Sequence, residues 1–231
     1  MRIFNDCYEM VREVEREIFE MGIRVQSESV QDKVVSNNED YMSIELTGYD
    51  YKLSSMDKMN EMLDYLKIPK DWVEAEFKER IATEFLNPGV AWELRRDMWQ
   101  EYIHDGLLAY SYNERIREQL PLLIRELKIR PNTRQGIITM YDVHKDMGNW
   151  GAKGRIPCSM YYQFFKRNEK LQGIYVMRSC DFLNHFAADV AFALKLFEHV
   201  AKEIECPMGH FTHFIGSLHA FKIDMSKRGI F

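Results

Sequence analysis

The sequence predicts an α+β fold, a central, mostly antiparallel or mixed sheet packed by helices, and three observations predict it. Apolar residues recur at helical spacing toward both ends of the chain, β-branched and aromatic runs cluster between them, and neither a regular strand–helix alternation nor an internal repeat is present. In chain order, Val11, Val14, Ile18 and Met21 mark a helix over 5–21 that Gly22 stops. Met42, Ile44 and Leu46 mark a short strand after a loop through Asn37 and Asn38. Helical patterns at 57–68 and 72–86 end at Pro69 and at Pro88-Gly89. Ile116, Leu120, Leu123, Ile124 and Leu127 share one face of a helix over 113–128, with Asn113 as candidate cap. GIITMY at 136–141 reads as a strand, and CSMYYQFFK, RNEK and LQGIYVMR read as strand, turn and antiparallel strand. From Ala188, the residues Val190, Ala191, Leu194, Phe197, Val200 and Ile204 restore a helical period, and 206–221 reads as turn and strand.

A chain of 231 residues with 46% hydrophobic and 29% charged residues can bury one sizeable core, so a single domain over 1–231 is expected. Its net charge of −5 argues against a general nucleic-acid binder, which needs concentrated Lys and Arg. The acidic, amphipathic N-terminus is unlike a signal peptide, and no apolar run reaches the roughly 18 residues that span a membrane. Four scattered cysteines, Cys7, Cys158, Cys180 and Cys206, read as reduced thiols of a cytoplasmic protein. The glycine-rich phosphate motifs are absent, so a nucleotide would rest on arginines and hydroxyls.

Cys158 follows a polar loop containing Gly148, Gly151 and Gly154 and precedes a strand. By itself it reads as an inert buried residue; a nucleophile needs a lowered thiol pKa, for which Arg155, Arg134 and Arg178 are candidate causes. Arg178 beside Ser179 offers planar and hydroxyl donors that suit a phosphate, as does Thr133 beside Arg134, although each also reads as an ordinary solvated segment end. His210, His213 and His219 have a spacing that gives no common face on a strand, so no zinc site is expected.

Four segments occur in order: NTRQGI, RIPCSMYYQFF, GIYVMRSCDFLNHFAADVAFAL and HFTHFIGSLHAF. Together they resemble the thymidylate synthase superfamily, including its cytidylate hydroxymethylases, most strongly over 110–221. The resemblance implies a homodimeric enzyme that adds a one-carbon unit to C5 of a pyrimidine nucleotide from 5,10-methylenetetrahydrofolate. Cys158 would attack C6 and so make C5 nucleophilic. Arg178 and Ser179 would hold the phosphate, and Arg134 would reach the neighbouring subunit's site. Asp181 would hold the folate pterin, Trp99 would lie beside the folate, and Glu76 would transfer protons, with Glu74 and Glu79 as alternatives. His219 and Phe221 would face the sugar.

Departures from the family pattern shape the expected substrate. Asp189 stands where the synthases have asparagine; a carboxylate accepts from the cytosine amine and accepts nothing from uracil O4, a preference of about 1–3 kcal/mol. By itself Asp189 reads as the cap of the following helix. Phe221 replaces a tyrosine at the sugar, Gln135 replaces a second arginine, Ser159 replaces a histidine, and Asn184-His185 stands where glycine is expected. Only ten residues follow Phe221, which favours ending by water addition over hydride transfer because a longer tail would exclude water. The expected activity is 5-hydroxymethylation of CMP or dCMP. Reductive methylation and a catalytically weak nucleotide-binding relative are the alternatives.

Overall fold

The computed structural model describes residues 1–150 and 153–230; Gly151 of the loop before Cys158 and Phe231 of the tail lie outside them. The fold is α+β. A seven-stranded mixed sheet contains β1 (Arg2–Phe4), β2 (Ile23–Gln26), β3 (Met42–Leu53), β4 (Ile137–Thr139), β5 (Ser159–Arg167), β6 (Lys170–Asp181) and β7 (Met208–Phe221). Its order is β1-β3-β7-β6-β5-β4, with β2 paired to the first part of β3. The β1–β3 and β6–β7 pairs are parallel and the others antiparallel. Around the sheet lie α1 (Cys7–Met21), α2 (Met59–Tyr65), α3 (Lys70–Arg80), α4 (Tyr112–Ile116), α5 (Gln119–Ile129), α6 (Ala187–Glu203) and α7 (Lys222–Lys227).

Local chemistry accounts for the element ends. Asp6 caps α1 by accepting from the amides of Tyr8 and Glu9, and Met10, Val11, Val14 and Ile18 supply its buried face. At Gly22 a Cβ would lie 2.3 Å from Ile44 Cγ2 and 2.4 Å from the Ile18 carbonyl, so the close turn into β2 requires glycine. Asn168 and Glu169, at φ 50° and 57°, join the paired residues Arg167 and Lys170 in a two-residue turn whose left-handed backbone matches the strand twist. Parallel β6 and β7 need a long crossover, and α6 supplies it with Val190, Leu194, Phe197 and Val200 buried.

Several elements differ from the sequence expectation. Strand β3 runs 12 residues, because Tyr49, Tyr51 and Leu53 continue the buried alternation past the polar stretch that hid it. The helix expected over 113–128 is two helices. Ser111 caps α4 through the Glu114 amide, whereas Asn113 is buried and bonds the Leu86 amide and the carbonyls of Glu79 and Ala82. Those bonds also fix the chain after α3, which ends at Arg80 and not near 86. Pro121 falls in the first turn of α5, where its missing N–H has no helical partner to lose. The strand expected over 136–141 shortens to Ile137–Thr139.

The three histidines do not converge. His210 is exposed, His219 faces the cavity described below, and His213 is wholly buried, its ring 4.7 Å from that of Tyr175 and its Nδ1 2.9 Å from the Tyr51 hydroxyl. Burial pushes the His213 imidazole down to about 3. A histidine held neutral in this way contributes stability above its unfolded pKa of about 6.5, and that contribution is lost as pH falls toward the folded value. Between pH 7 and pH 5 the expected loss is about 2 kcal/mol. Denaturant titrations of wild type and His213→Gln should show a flatter pH dependence for the variant; parallel curves would refute the assignment.

Candidate active site

The ends of β6 and β7 and the start of β5 bound a cavity of about 830 Å³, closed on other sides by α3, α4 and the chain from Leu86 to Tyr112. Parallel pairing sets Ser179 opposite Ser217 and Asp181 opposite His219. All four line the cavity with Cys158, Arg178 and Asp189.

Arg178 holds the loop that carries the thiol. Its backbone amide donates to the Cys158 carbonyl, and its Nε and Nη2 donate to the carbonyls of Pro157 and Ile156, each at 2.9 Å. The fork that the sequence assigns to phosphate is therefore partly spent on positioning, leaving Nη1 for an anion. Gln31, at the tip of a small ribbon pairing Ser29–Val30 with Lys33–Val34, places Nε2 3.7 Å from Cys158 Sγ and accepts from the Ile156 amide. Ser159 turns inward to Tyr175, hydroxyl to hydroxyl at 2.6 Å.

Burial pushes the Cys158 thiol up; Arg178 and Arg155 pull it down, and Asp189 pushes it up further. Two of the three candidate arginines thus lower the thiol as expected, but the net direction is upward. Both arginines that act are close, but desolvation of the thiolate outweighs them.

Asp189 is the third residue of α6 and does not cap it. The cap is Asp181, whose Oδ1 accepts from the amides of Leu183 and Asn184 at the start of a π-helical turn, Phe182–Phe186, that leads into α6. Asp181 Oδ2 accepts from Asn184 Nδ2, so the carboxylate assigned to the pterin is already engaged, although it faces the cavity. Burial pushes the Asp189 carboxyl up to about 7, against the pull of Arg80 and Arg95.

Two of the three candidate glutamates line the cavity. Glu74 pairs with Lys195 and lies outside the cavity lining. Glu79 also lines the cavity; its Oε1 accepts from the amides of Val90 and Ala91, and its Oε2 is buried without a partner among the described residues. Glu76 lines the cavity and accepts from Nε of Arg80, whose buried guanidinium lies 4.3 Å from the Tyr112 ring and 3.7 Å from that of Phe192. Glu76 differs from Glu79 in being paired with a buried arginine instead of backbone amides. The sequence reading missed Arg80 and Gln31; the first sits at i+4 from Glu76, a helical spacing that could have shown it, and the second carried no local signal.

Trp99 lies 6.3 Å from Trp72, centroid to centroid, with its Nε1 buried and unpartnered among the described residues. His219 Nδ1 lies 3.3 Å from the Ser217 hydroxyl, and the Phe221 ring stands edge-on to it at 4.9 Å. Arg134 is exposed and outside the lining, as is its neighbour Gln135.

The signature of the thymidylate synthase family matches residues 53–228. The chain belongs to that family. A thymidylate synthase of Listeria monocytogenes is 28% identical over 178 residues, which cover 74% of this chain and 53% of that protein. A deoxyuridylate hydroxymethyltransferase of Pseudomonas phage M6 is 26% identical over 139 residues, covering 57% of this chain and 39% of the phage protein. The chain thus spans about half the length, or less, of these curated relatives. Thymidylate synthase A of Bacillus subtilis shares the fold at TM-score 0.74 and 14% identity, over 98% of this chain and 83% of that structure.

The residues present fit the folate of this family: Trp99 offers the cavity of about 830 Å³ an aromatic wall with an unsatisfied donor. Among the described residues no helix is long and apolar enough to cross a membrane.

Removing the charge of Asp189 should lower the Cys158 pKa, since that carboxylate raises it. Iodoacetamide should therefore alkylate Cys158 several-fold faster in Asp189→Asn than in wild type at pH 8, by about the ratio of thiolate fractions. Equal or slower alkylation would exclude the coupling.

Proposed function

We propose that this chain forms a carbon–carbon bond at C5 of a pyrimidine nucleoside monophosphate, with Cys158 as covalent nucleophile. The observation that carries the proposal is that Cys158, Glu76, Trp99 and Asp189, four residues the family resemblance singles out, all line one cavity. When bound, 5,10-methylenetetrahydrofolate would supply the one-carbon unit, with Trp99 against it and Asp181 at its pterin. Cys158 adds to C6, which makes C5 nucleophilic, and Glu76 is placed to move protons. Arg178 Nη1 and Ser179 would meet the phosphate, and Ser217, His219 and Phe221 would face the sugar. The exposed Arg134 suits a homodimer in which it serves the neighbouring site.

For the fate of the one-carbon unit, the Listeria relative and the Bacillus fold neighbour bear the name thymidylate synthase, so the comparisons favour reductive methylation. Hydroxymethylation of CMP or dCMP is the second reading, and Asp189 is the observation that favours a cytosine base. With its carboxyl pushed up to about 7, Asp189 is substantially a neutral acid near neutral pH. A neutral acid pairs with either base, donating to cytosine N3 or to uracil O4, so the carboxylate argument from sequence alone is too strong. Cytosine keeps an advantage because N3 is the more basic acceptor and shares the proton better.

Two measurements test these statements. Mass-resolved assays with CMP, dCMP, UMP and dUMP should show a nucleotide heavier by one CH2 for methylation or by one CH2O for hydroxymethylation, and Cys158→Ser should abolish both; turnover by that variant would refute the mechanism. Cytidylate affinity should fall about tenfold per pH unit above the pH at which Asp189 loses its proton, and Asp189→Asn should remove that limb. A flat calorimetric profile in the wild type between pH 6 and pH 9 would rule out base recognition by a protonated Asp189.

A further inference from the structure

The Trp99 end of the cavity carries two polar groups that the proposed chemistry has not used. Arg155 is 7% exposed, and its guanidinium lies 4.2 Å from the Tyr102 ring, 5.5 Å from Tyr110 and 5.6 Å from Trp99. Its Nε is buried without a hydrogen-bond partner among the described residues. Buried donors in native proteins find water or a ligand when the protein supplies no acceptor. His185 stands against the same indole, ring centroids 6.0 Å apart, and lines the same cavity. Among the described residues neither of its ring nitrogens is hydrogen-bonded.

Burial keeps that imidazole neutral, its pKa pushed down to about 4. Asp181 at the end of β6 opposes the shift; Arg95, Arg155 and His219 of β7 add to it. The result is an unprotonated base and a buried cation beside one indole, the base standing where the family pattern has glycine.

We propose that Arg155 and His185 hold a water molecule against Trp99, and that His185 takes its proton as the water adds to the one-carbon unit on C5, ending the reaction in a hydroxymethyl group. This rests on the C5 transfer proposed above and selects between its two fates. When C5 bears an exocyclic methylene and C6 bears the Cys158 sulfur, the water oxygen bonds to the methylene carbon and the C5 π pair moves toward the substituent at C4. Return of that pair re-forms the C5–C6 double bond and breaks the S–C6 bond. The proton on His185 neutralises the departing thiolate. One water is added, nothing is oxidised or reduced, and no further reactant is required.

A competition assay tests this. Wild type, His185→Gly, His185→Gln and Arg155→Leu are incubated with nucleotide, 5,10-methylenetetrahydrofolate and 2-mercaptoethanol, which traps the same methylene carbon as a thioether. The wild type should give mainly the CH2O product. Both His185 variants should bind nucleotide normally yet raise the thioether to hydroxymethyl ratio at least about tenfold, and added imidazole should reverse this in His185→Gly. In the ligand-free protein, Arg155→Leu should raise the NMR titration midpoint of His185, since a neighbouring cation has been removed. A wild type that forms only the CH2 product, an unchanged ratio in the His185 variants, or an unmoved His185 midpoint would overturn the inference while leaving C5 transfer intact. If no nucleotide gains carbon in the wild type, the C5 reading fails and the inference falls with it.

Discussion

The parallel pairing of β6 with β7 sets the register on which the cavity depends. Because Ser179 lies opposite Ser217 and Asp181 opposite His219, hydroxyl, carboxylate and imidazole reach one space from two strands far apart in sequence. The same β6 fixes the loop that carries Cys158 from the other side, through the three bonds that Arg178 makes to residues 156–158. Asp181 then caps the turn into α6, which brings Asp189 back to the cavity. A one-residue slip of β6 would send each of these side chains to the opposite face.

That geometry concentrates ionisable groups where water is scarce, and burial decides their state. The Cys158 thiol and the Asp189 carboxyl are pushed up and the His185 imidazole down, so all three favour their neutral forms. Arg80 keeps its charge because Glu76 pairs with it and two aromatic rings flank it. The ligand-free cavity thus holds few net charges despite many titratable residues. Proton positions, more than fixed charges, are what a ligand would rearrange on binding.

Periodicity made the large elements legible. The amphipathic stripe of α1, the hairpin of β5 and β6 and the core helix α6 all follow from local pattern, with boundaries shifted by capping and turn chemistry. Asn113 was misread because a cap and a buried bridge use the same amide; only the position of the Glu79–Leu86 segment distinguishes them. Residue chemistry and resemblance named Cys158, Arg178 and Asp189, but the direction of the Cys158 shift was not readable, since proximity of arginines is visible in sequence and desolvation is not. Gln31 illustrates the remaining limit: it meets Cys158 across 127 residues of chain, and no local spacing encodes that contact.

The departures at Asp189 and His185 also belong to one physical pattern. An asparagine cannot change its proton count, and a glycine presents no side chain; aspartic acid and histidine in a buried cavity can each gain or lose a proton. Arg80 and Arg95 restrain the carboxyl from rising further, and burial, aided by Arg95 and Arg155, holds the imidazole unprotonated. The two substitutions therefore place an acid on α6 and a base at the Trp99 wall, with Cys158 in the same cavity. Under the proposed chemistry such an arrangement would donate a proton to the ring and remove one from water without importing charge into the cavity. That pairing gives the nucleophile a different chemical setting from one lined by an amide and bare backbone.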